Sequence, residues 1–215
     1  MAVNPIIELS NKISCAIDNR KDRKICGMEL GRFVPTPYAE SHGATGSQSA
    51  PYIGLDKILK GLYLTRDDSF IDIGCGKGRV ISYMVSRGFP CKLTGIEINP
   101  DVAEVALKWT SRYPNVEIIE GDAFGLDYND YTVLFMYRPM ETFTFKMFTE
   151  LLESTLTHEI KLYYYVDEQS GYYLNDRPGW TLLRRQKMFF VKGLFIHKEP
   201  QRYSVWTYSP VSIDS

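Results

Sequence analysis

The sequence has few of the residues that build metal centres and disulfide frameworks. Its 215 residues include three histidines and four cysteines. The cysteines, which show no C-x-x-C pairing, are Cys15, Cys26, Cys75 and Cys91. Reduced thiols in a cytosol fit this usage better than disulfides or zinc, so we expect no metal site.

Long apolar runs, internal repeats and a strong net charge are also lacking. No segment approaches the roughly 18 apolar residues of a membrane helix, and the first residues lack the basic-then-apolar pattern of a secretion signal. The formal net charge of -1 argues against a chain built chiefly to bind phosphate backbones, although basic clusters at 20–24 and 184–187 would suit local contact with nucleic acid. We therefore predict a cytoplasmic protein that binds no membrane, with nucleic acid as a less favoured partner and the oligomeric state left open.

The composition is that of an ordinary globular protein, with 44% hydrophobic and 24% charged residues. We divide the chain into an N-terminal helix and lid extension at 1–52 and a body at 53–215. In the extension, near-helical spacing of apolar residues predicts a helix that packs on the body. These residues are Ile6, Ile7, Leu9, Ile13 and Ile17. The segment 35–52 is rich in small residues and predicts either a lid over a ligand or a plain surface loop.

The most informative segment is Phe70–Val80, which predicts a buried strand, a glycine turn and the start of a helix. The turn carries three alternate glycines, Gly74, Gly76 and Gly78. They remove every Cβ where backbone amides would approach a ligand. A dinucleotide-binding loop needs G-x-G-x-x-G, whose third glycine would fall on Arg79, whereas here Asp72 precedes G-x-G-x-G. The spacing weakens a nicotinamide cofactor and favours S-adenosylmethionine.

Two further predicted strands also end on an acid. The strand Lys92–Glu97 ends on its carboxylate, and the strand Val116–Ala123 carries Asp122 near its end. An acid after the second strand can accept hydrogen bonds from both ribose hydroxyls of an adenosine cofactor. Glycines and acids at three strand ends in register predict a cofactor site.

These motifs resemble the class I S-adenosylmethionine-dependent methyltransferases, whose first motif is an acid followed by G-x-G-x-G. The likeness covers about residues 55–210 and includes small bacterial methyltransferases and, more distantly, histone methyltransferases of the telomeric-silencing type. It implies an α/β, Rossmann-like sandwich with a mostly parallel seven-stranded sheet and a C-terminal antiparallel hairpin. It also implies S-adenosylmethionine as cofactor and direct methyl displacement without a covalent enzyme intermediate.

The family's motif positions imply a set of cofactor-binding residues. They are Asp72, Gly74, Cys75, Gly76, Gly78, Glu97, Ile98, Asp122 and Ala123. By the resemblance, Asp72 reaches the cofactor's amino group directly or through water, and Glu97 binds the ribose. Ile98 and Ala123 flank the adenine, and Asp122 binds its exocyclic amine.

The acceptor is less well specified. Amino-directed members of the family often carry Asn or Asp before Pro-Pro after the fourth strand, but this chain has Tyr137-Arg138-Pro139-Met140. A guanidinium cannot accept a hydrogen bond from a target amine, so Arg138 either holds an anionic acceptor or points to solvent. Three side chains are weak candidates for a general base, each with a structural role as the alternative: His42, Tyr137 and Asp167. We favour a small molecule or protein as acceptor.

Two rival functions remain open at the level of sequence. One is a catalytically decayed module that binds a cofactor or a partner, against which the intact glycine turn and both acids count. The other is a different enzyme on the same scaffold, transferring an aminopropyl group or using a nicotinamide. An aminopropyl transferase would need an aspartate pair at the strand end, where this chain has Tyr137 and Arg138. An enzyme that uses a nicotinamide would need a glycine in place of Arg79.

Overall fold

The computed structural model describes residues 5–191, 194–195 and 201–211. The helices in this part of the chain are α1 Pro5–Cys26, α2 Ala39–His42, α3 Tyr52–Ile58, α4 Arg79–Ser86, α5 Pro100–Thr110 and α6 Thr142–Thr155. The strands are β1 Ser69–Ile73, β2 Lys92–Glu97, β3 Val116–Glu120, β4 Val133–Tyr137, β5 Ile160–Tyr165, β6 Trp180–Val191, β7 Leu194–Phe195 and β8 Gln201–Tyr208.

The strands form one sheet in the order β3-β2-β1-β4-β5-β8-β6-β7. The first five strands of this order are parallel, and β8 runs antiparallel to both β5 and β6. The predicted α/β fold, with seven main strands and an antiparallel pair at the C-terminal end, is confirmed. The two-residue β7, which pairs with the end of β6, was not predicted.

Alternation along β1 divides the core between the two faces of the sheet. Phe70 packs in the cluster that contains α3 and α4, whereas Ile71 and Ile73 pack in the cluster that contains α6. Both faces are therefore covered by helices, which explains why β1 is apolar on both sides. Asp72 lies on the same face of the strand as Phe70, by the period of two.

The strand order reverses between β1 and β4, and this reversal positions the site. Connections from β1 and β4 leave in opposite directions, so a crevice opens beyond their carboxyl ends. The glycine turn follows β1, Glu97 ends β2, and Asp122 follows β3 by two residues. Three of the groups singled out in the sequence thus lie at one edge of the sheet.

The orientation of α1 differs from the prediction. Its apolar side chains face outward, since Leu9, Ile13 and Ile17 are 59%, 50% and 51% exposed. The buried face is more polar and carries Asp18, Asp22 and Cys26. The helix is held by ion pairs to Arg79 rather than by its aliphatic stripe. The side chains of Ile6 and Ile7 lie outside the described residues.

No helix in the described ranges has the length and apolarity to cross a membrane. The division of the chain at residue 52 stays a prediction.

Candidate cofactor-binding site

Two contiguous cavities lie at the carboxyl edge of the sheet. The first has a volume of about 50 Å³ and is lined by His42, Ala44, Gly74, Ile96, Ile98, Gly121, Asp122, Ala123, Phe124, Pro139, Met140 and Thr144. The second has a volume of about 60 Å³ and is lined by Ala44, Thr45, Gly46, Ser47, Gln48, Ser49, Gly74, Gly76, Glu97, Ile98, Tyr137 and Pro139. The two linings share Ala44, Gly74, Ile98 and Pro139, so the cavities adjoin and form one cleft at this edge.

Gly74, which lines both cavities, and Gly76, which lines the second, form what we call the glycine floor. Both have positive φ, at 69° and 57°, which favours glycine. A Cβ on Gly74 would lie 2.3 Å from the Cβ of Pro139, and one on Gly76 would lie 2.6 Å from the Oγ of Ser47. The bare backbone at these two positions is what leaves the cavities open.

Gly78 has a different role from the other two glycines. Its φ is 86°, and a Cβ there would lie 3.0 Å from the indole of Trp109. That indole N–H donates to the carbonyl oxygen of Lys77 at 2.9 Å. Gly78 therefore lets α5 pack against the glycine turn, and it lies outside the linings of both cavities.

Glu97 reaches back from the end of β2 and holds the glycine turn. Its Oε2 accepts a hydrogen bond from the Gly76 amide, and its Oε1 accepts one from the Asn99 amide, each at 2.9 Å. Burial raises the pKa of this carboxyl, while the two amide donors oppose the rise. The side chain forms part of the wall of the second cavity.

Asp72 and Cys75 are buried beneath the turn rather than in the cavity walls. Burial, with the Glu97 carboxylate nearby, raises the pKa of Asp72 well above its usual value. Its Oδ2 has no hydrogen-bond partner among the described residues. The Cys75 sulfur packs against Gly95, where a Cβ would meet it at 2.8 Å, and burial raises the pKa of this thiol. The thiol is therefore protonated and faces the core.

Ile98, Asp122 and Ala123 all line the first cavity. The exposed Asp122 begins a 3-10 turn, and its Oδ1 accepts a hydrogen bond from the Phe124 amide at 3.0 Å. The predicted strand extended to Ala123, but β3 ends at Glu120 because this turn begins. The second carboxylate oxygen of Asp122 remains available to a ligand at the rim of the first cavity.

Residues 43–49, which we call the covering segment, close over the cavities. The Thr45 amide donates to the Pro139 carbonyl at 2.9 Å, and the Thr45 hydroxyl donates to the Arg138 carbonyl at 2.7 Å. Ser47 pairs with Val34 through two backbone hydrogen bonds of 2.8 and 3.0 Å. This part of the predicted lid segment is thus bonded to the turn that follows β4.

The three weak base candidates lie in different surroundings. Tyr137 lines the second cavity and stacks on Tyr165, with ring centroids 4.6 Å apart, and burial raises its pKa. His42 lies at the rim of the first cavity, with its Nδ1 2.8 Å from the hydroxyl of Ser41. The structure thus brings Tyr137 and His42 to opposite parts of the site.

Asp167 lies in a buried ion-pair cluster rather than in either cavity lining. It is fully buried, with its carboxylate 2.5 Å from Arg202 and 3.3 Å from Arg185. A carboxylate neutralised by two guanidiniums anchors β5 to β6 and β8. The geometry therefore favours the structural alternative for this residue.

Arg138 adopts a strained backbone at the end of β4. Its φ is 39°, unusual for a residue that precedes proline, and strain of this kind gathers at functional sites. Its guanidinium lies 3.5 Å from the carboxylate of Glu141. This pairing points the side chain toward a neighbouring acid at the surface.

Several lining residues were not identified from the sequence. They are Phe124, Met140 and Thr144, all in the first cavity. Phe124 and Met140 adjoin recognised motifs, whereas Thr144 is an ordinary residue of the first turn of α6. In the described part of the chain, no three His, Cys, Asp or Glu side chains cluster as metal ligands would.

Comparisons with known proteins agree with this geometry. Residues 70–157 match a family described as methyltransferase domain. The chain is 26% identical over 108 residues to a probable ribosomal RNA small subunit methyltransferase A of Methanosarcina mazei, a match that covers 50% of this chain and 37% of that protein. The chain therefore spans well under half the length of this curated relative.

Solved structures share the fold at low identity. A methyltransferase from Pyrococcus furiosus superposes with a TM-score of 0.62 and 18% identity, over 93% of this chain and 98% of that one. An RNA methyltransferase from Salinibacter ruber, in complex with S-adenosyl-L-homocysteine, superposes with a TM-score of 0.54 and 21% identity, over 78% of this chain and 97% of that one. The chain thus has the fold of these methyltransferases, and residues 70–157 are similar to a methyltransferase domain, in agreement with the predicted resemblance to class I S-adenosylmethionine-dependent methyltransferases.

Proposed function

We propose that the protein transfers a methyl group from S-adenosylmethionine to an acceptor that approaches through the second cavity, beside Tyr137. The proposal rests on one observation: the glycine floor, the Glu97 carboxylate and the side chains of Ile98 and Ala123 all line the two adjoining cavities. We favour a small molecule or a protein as the acceptor.

The residues present fit an adenosyl cofactor. Each oxygen of Glu97 accepts one backbone amide and retains a lone pair for a ribose hydroxyl. Ile98 and Ala123 would flank the adenine in the first cavity, and the second oxygen of Asp122 would accept from its exocyclic amine. Asp72 lies outside both cavity linings, so its contact with the cofactor's amino group stays a prediction from the resemblance.

When bound, S-adenosylmethionine supplies an electrophilic methyl group on a sulfonium. The chain's own residues would then supply alignment and exclusion of water, which account for much of the rate enhancement in such displacements. The covering segment and Pro139 shield the second cavity. Tyr137 keeps its proton near neutral pH because burial raises its pKa, so we propose that its hydroxyl orients the acceptor rather than removing a proton.

Charge around the site supports the preference against polyanionic acceptors. A groove that adjoins the first cavity is bordered by three carboxylates, those of Glu40, Asp122 and Glu141. Arg138 is paired with one of them. A phosphate backbone would be repelled by this surplus of negative charge. RNA stays the second candidate because two of the similar proteins are named as RNA methyltransferases.

The test is transfer of labelled methyl from S-adenosylmethionine into a cell extract divided into protein, nucleic-acid and small-molecule fractions. We expect label in the protein or the small-molecule fraction, and at least about tenfold less with the Glu97→Gln variant at a cofactor concentration below its dissociation constant. Label in nucleic acid alone would overturn the acceptor class. Saturable cofactor binding without label in any fraction would instead favour the decayed binding module.

A further inference from the structure

Asp22 is the most fully hydrogen-bonded carboxylate that faces the body from α1. It is completely buried, and its Oδ1 accepts from the Tyr52 hydroxyl at 3.0 Å and the Arg79 Nε at 3.1 Å. Its Oδ2 accepts from the Leu30 amide at 3.0 Å and the Arg79 Nη2 at 2.5 Å. Four donors thus fix this carboxylate, and the contact with Arg79 is bidentate.

One side of this contact holds the glycine turn. Arg79 is the first residue of α4 and directly follows Gly78, so its guanidinium fixes the exit of the turn. The position is the one at which a dinucleotide-binding loop would carry glycine. Beside it, the ammonium of Lys77 donates to the carbonyl of Arg32. The turn is therefore tied at its last residues to the segment that follows α1.

The other side of the contact holds the covering segment. Asp22 binds the amide of Leu30, whose carbonyl accepts from the Ser49 hydroxyl at 2.6 Å. Four residues further on, Val34 pairs with Ser47, whose Oγ lies over Gly76. A single carboxylate therefore connects to both walls of the second cavity, the glycine floor below and the covering segment above.

We propose that Asp22 is a positioning residue for cofactor binding: it sets the spacing between the glycine turn and the covering segment, and it couples α1 to the occupancy of the second cavity. This inference rests on the proposed function, since it assigns the cofactor to that cavity. It gives the N-terminal extension a role in cofactor binding. It also explains why an arginine follows the glycine motif at position 79, since Arg79 joins the glycine turn to Asp22.

The test compares Asp22→Asn with a matched carboxylate on the far side of the molecule. Glu153 also binds an arginine bidentately, accepting from Arg177 Nε at 2.7 Å, and it lies outside both cavity linings. Titration calorimetry with S-adenosylhomocysteine is performed well below the unfolding temperature of each variant. We expect Asp22→Asn to weaken binding by at least about tenfold, whereas Glu153→Gln stays within about twofold of the wild type even if it unfolds at a lower temperature.

A second measurement needs no variant. Coupling is reciprocal, so saturating S-adenosylhomocysteine should slow amide hydrogen exchange in α1 of the wild-type protein. Two results would overturn the inference while leaving the proposed function intact: a folded Asp22→Asn variant that binds S-adenosylhomocysteine with wild-type affinity, or amide hydrogen exchange in α1 that the ligand leaves unchanged. Absence of S-adenosylhomocysteine binding to the wild-type protein would instead overturn the proposed function itself. If Asp22→Asn does not fold, Asp22→Glu and the exchange measurement decide.

Discussion

Replacing Glu97 with glutamine should weaken cofactor binding far more than it weakens the fold. In the structure, both carboxylate oxygens accept backbone amides, from Gly76 and from Asn99, at 2.9 Å. A glutamine offers one oxygen and one NH₂ group, so one of these amides would face a donor, and a ribose hydroxyl would lose a charged acceptor. A hydrogen bond to a charged group contributes about 1.5–3 kcal/mol, which corresponds to roughly 10- to 150-fold in affinity.

The sequence offers a matched control for this substitution. Glu120 ends β3 directly beside Glu97 in the parallel register, but its side chain is exposed and lies outside both cavity linings. Calorimetric titration of S-adenosylhomocysteine into wild type, Glu97→Gln and Glu120→Gln measures the difference, with thermal unfolding of each protein alongside. Equal affinities in Glu97→Gln and wild type, or an equal loss in Glu120→Gln, would refute the role given to Glu97.

Three further substitutions separate binding from stability. Gly74→Ala places a methyl group 2.3 Å from the Cβ of Pro139, so it should abolish binding of S-adenosylhomocysteine, measured by calorimetry. The control is Gly88→Ala, because Gly88 has a similar φ of 70° but a Cβ there would meet nothing within 4 Å; this variant should lose stability and keep its affinity. Retained binding in Gly74→Ala would contradict the role given to the glycine floor. Burial raises the pKa of Asp18 from 3.8 to about 6, so its contribution to stability is greatest below pH 4 and is lost as the pH rises through 6. Asp18→Asn should flatten this pH dependence, measured by urea unfolding at pH 4 and pH 8; a variant whose free energy of unfolding changes with pH as much as that of the wild type would show that the carboxyl is not the source. Asp167→Asn should lower the free energy of unfolding by about 2 kcal/mol, because it leaves two half-buried guanidinium charges without their carboxylate. The affinity for S-adenosylhomocysteine should stay unchanged, and a loss of affinity would contradict the structural assignment of Asp167.

Local patterns predicted the elements that carry the cofactor motif. The bounds of β2 agree with the predicted strand Lys92–Glu97, and the glycine turn lies where Phe70–Val80 indicated. These features depend on short-range properties: β-favouring apolar runs, positive φ at glycine and the strand-end position of Glu97. They also suffice to place three strand ends at one edge, because parallel strands share a carboxyl edge.

The features that sequence reasoning missed depend on distant neighbours. Periodicity detects that α1 has an aliphatic stripe but not which way the stripe faces, and the outward orientation follows from Arg79, 57 residues away from Asp22. Likewise, no local pattern predicts that Gly78 packs against the indole of Trp109. Each of these contacts joins residues whose proximity no local pattern records.

The central claim is that the two contiguous cavities form one adenosyl-cofactor site, and a crystal structure of the protein with S-adenosylhomocysteine tests it most directly. The account predicts density that spans both cavities, with the ribose hydroxyls within hydrogen-bond distance of Glu97 and the adenine between Ile98 and Ala123. Density elsewhere on the molecule, or cavities filled by the chain's own side chains in the presence of saturating ligand, would contradict it.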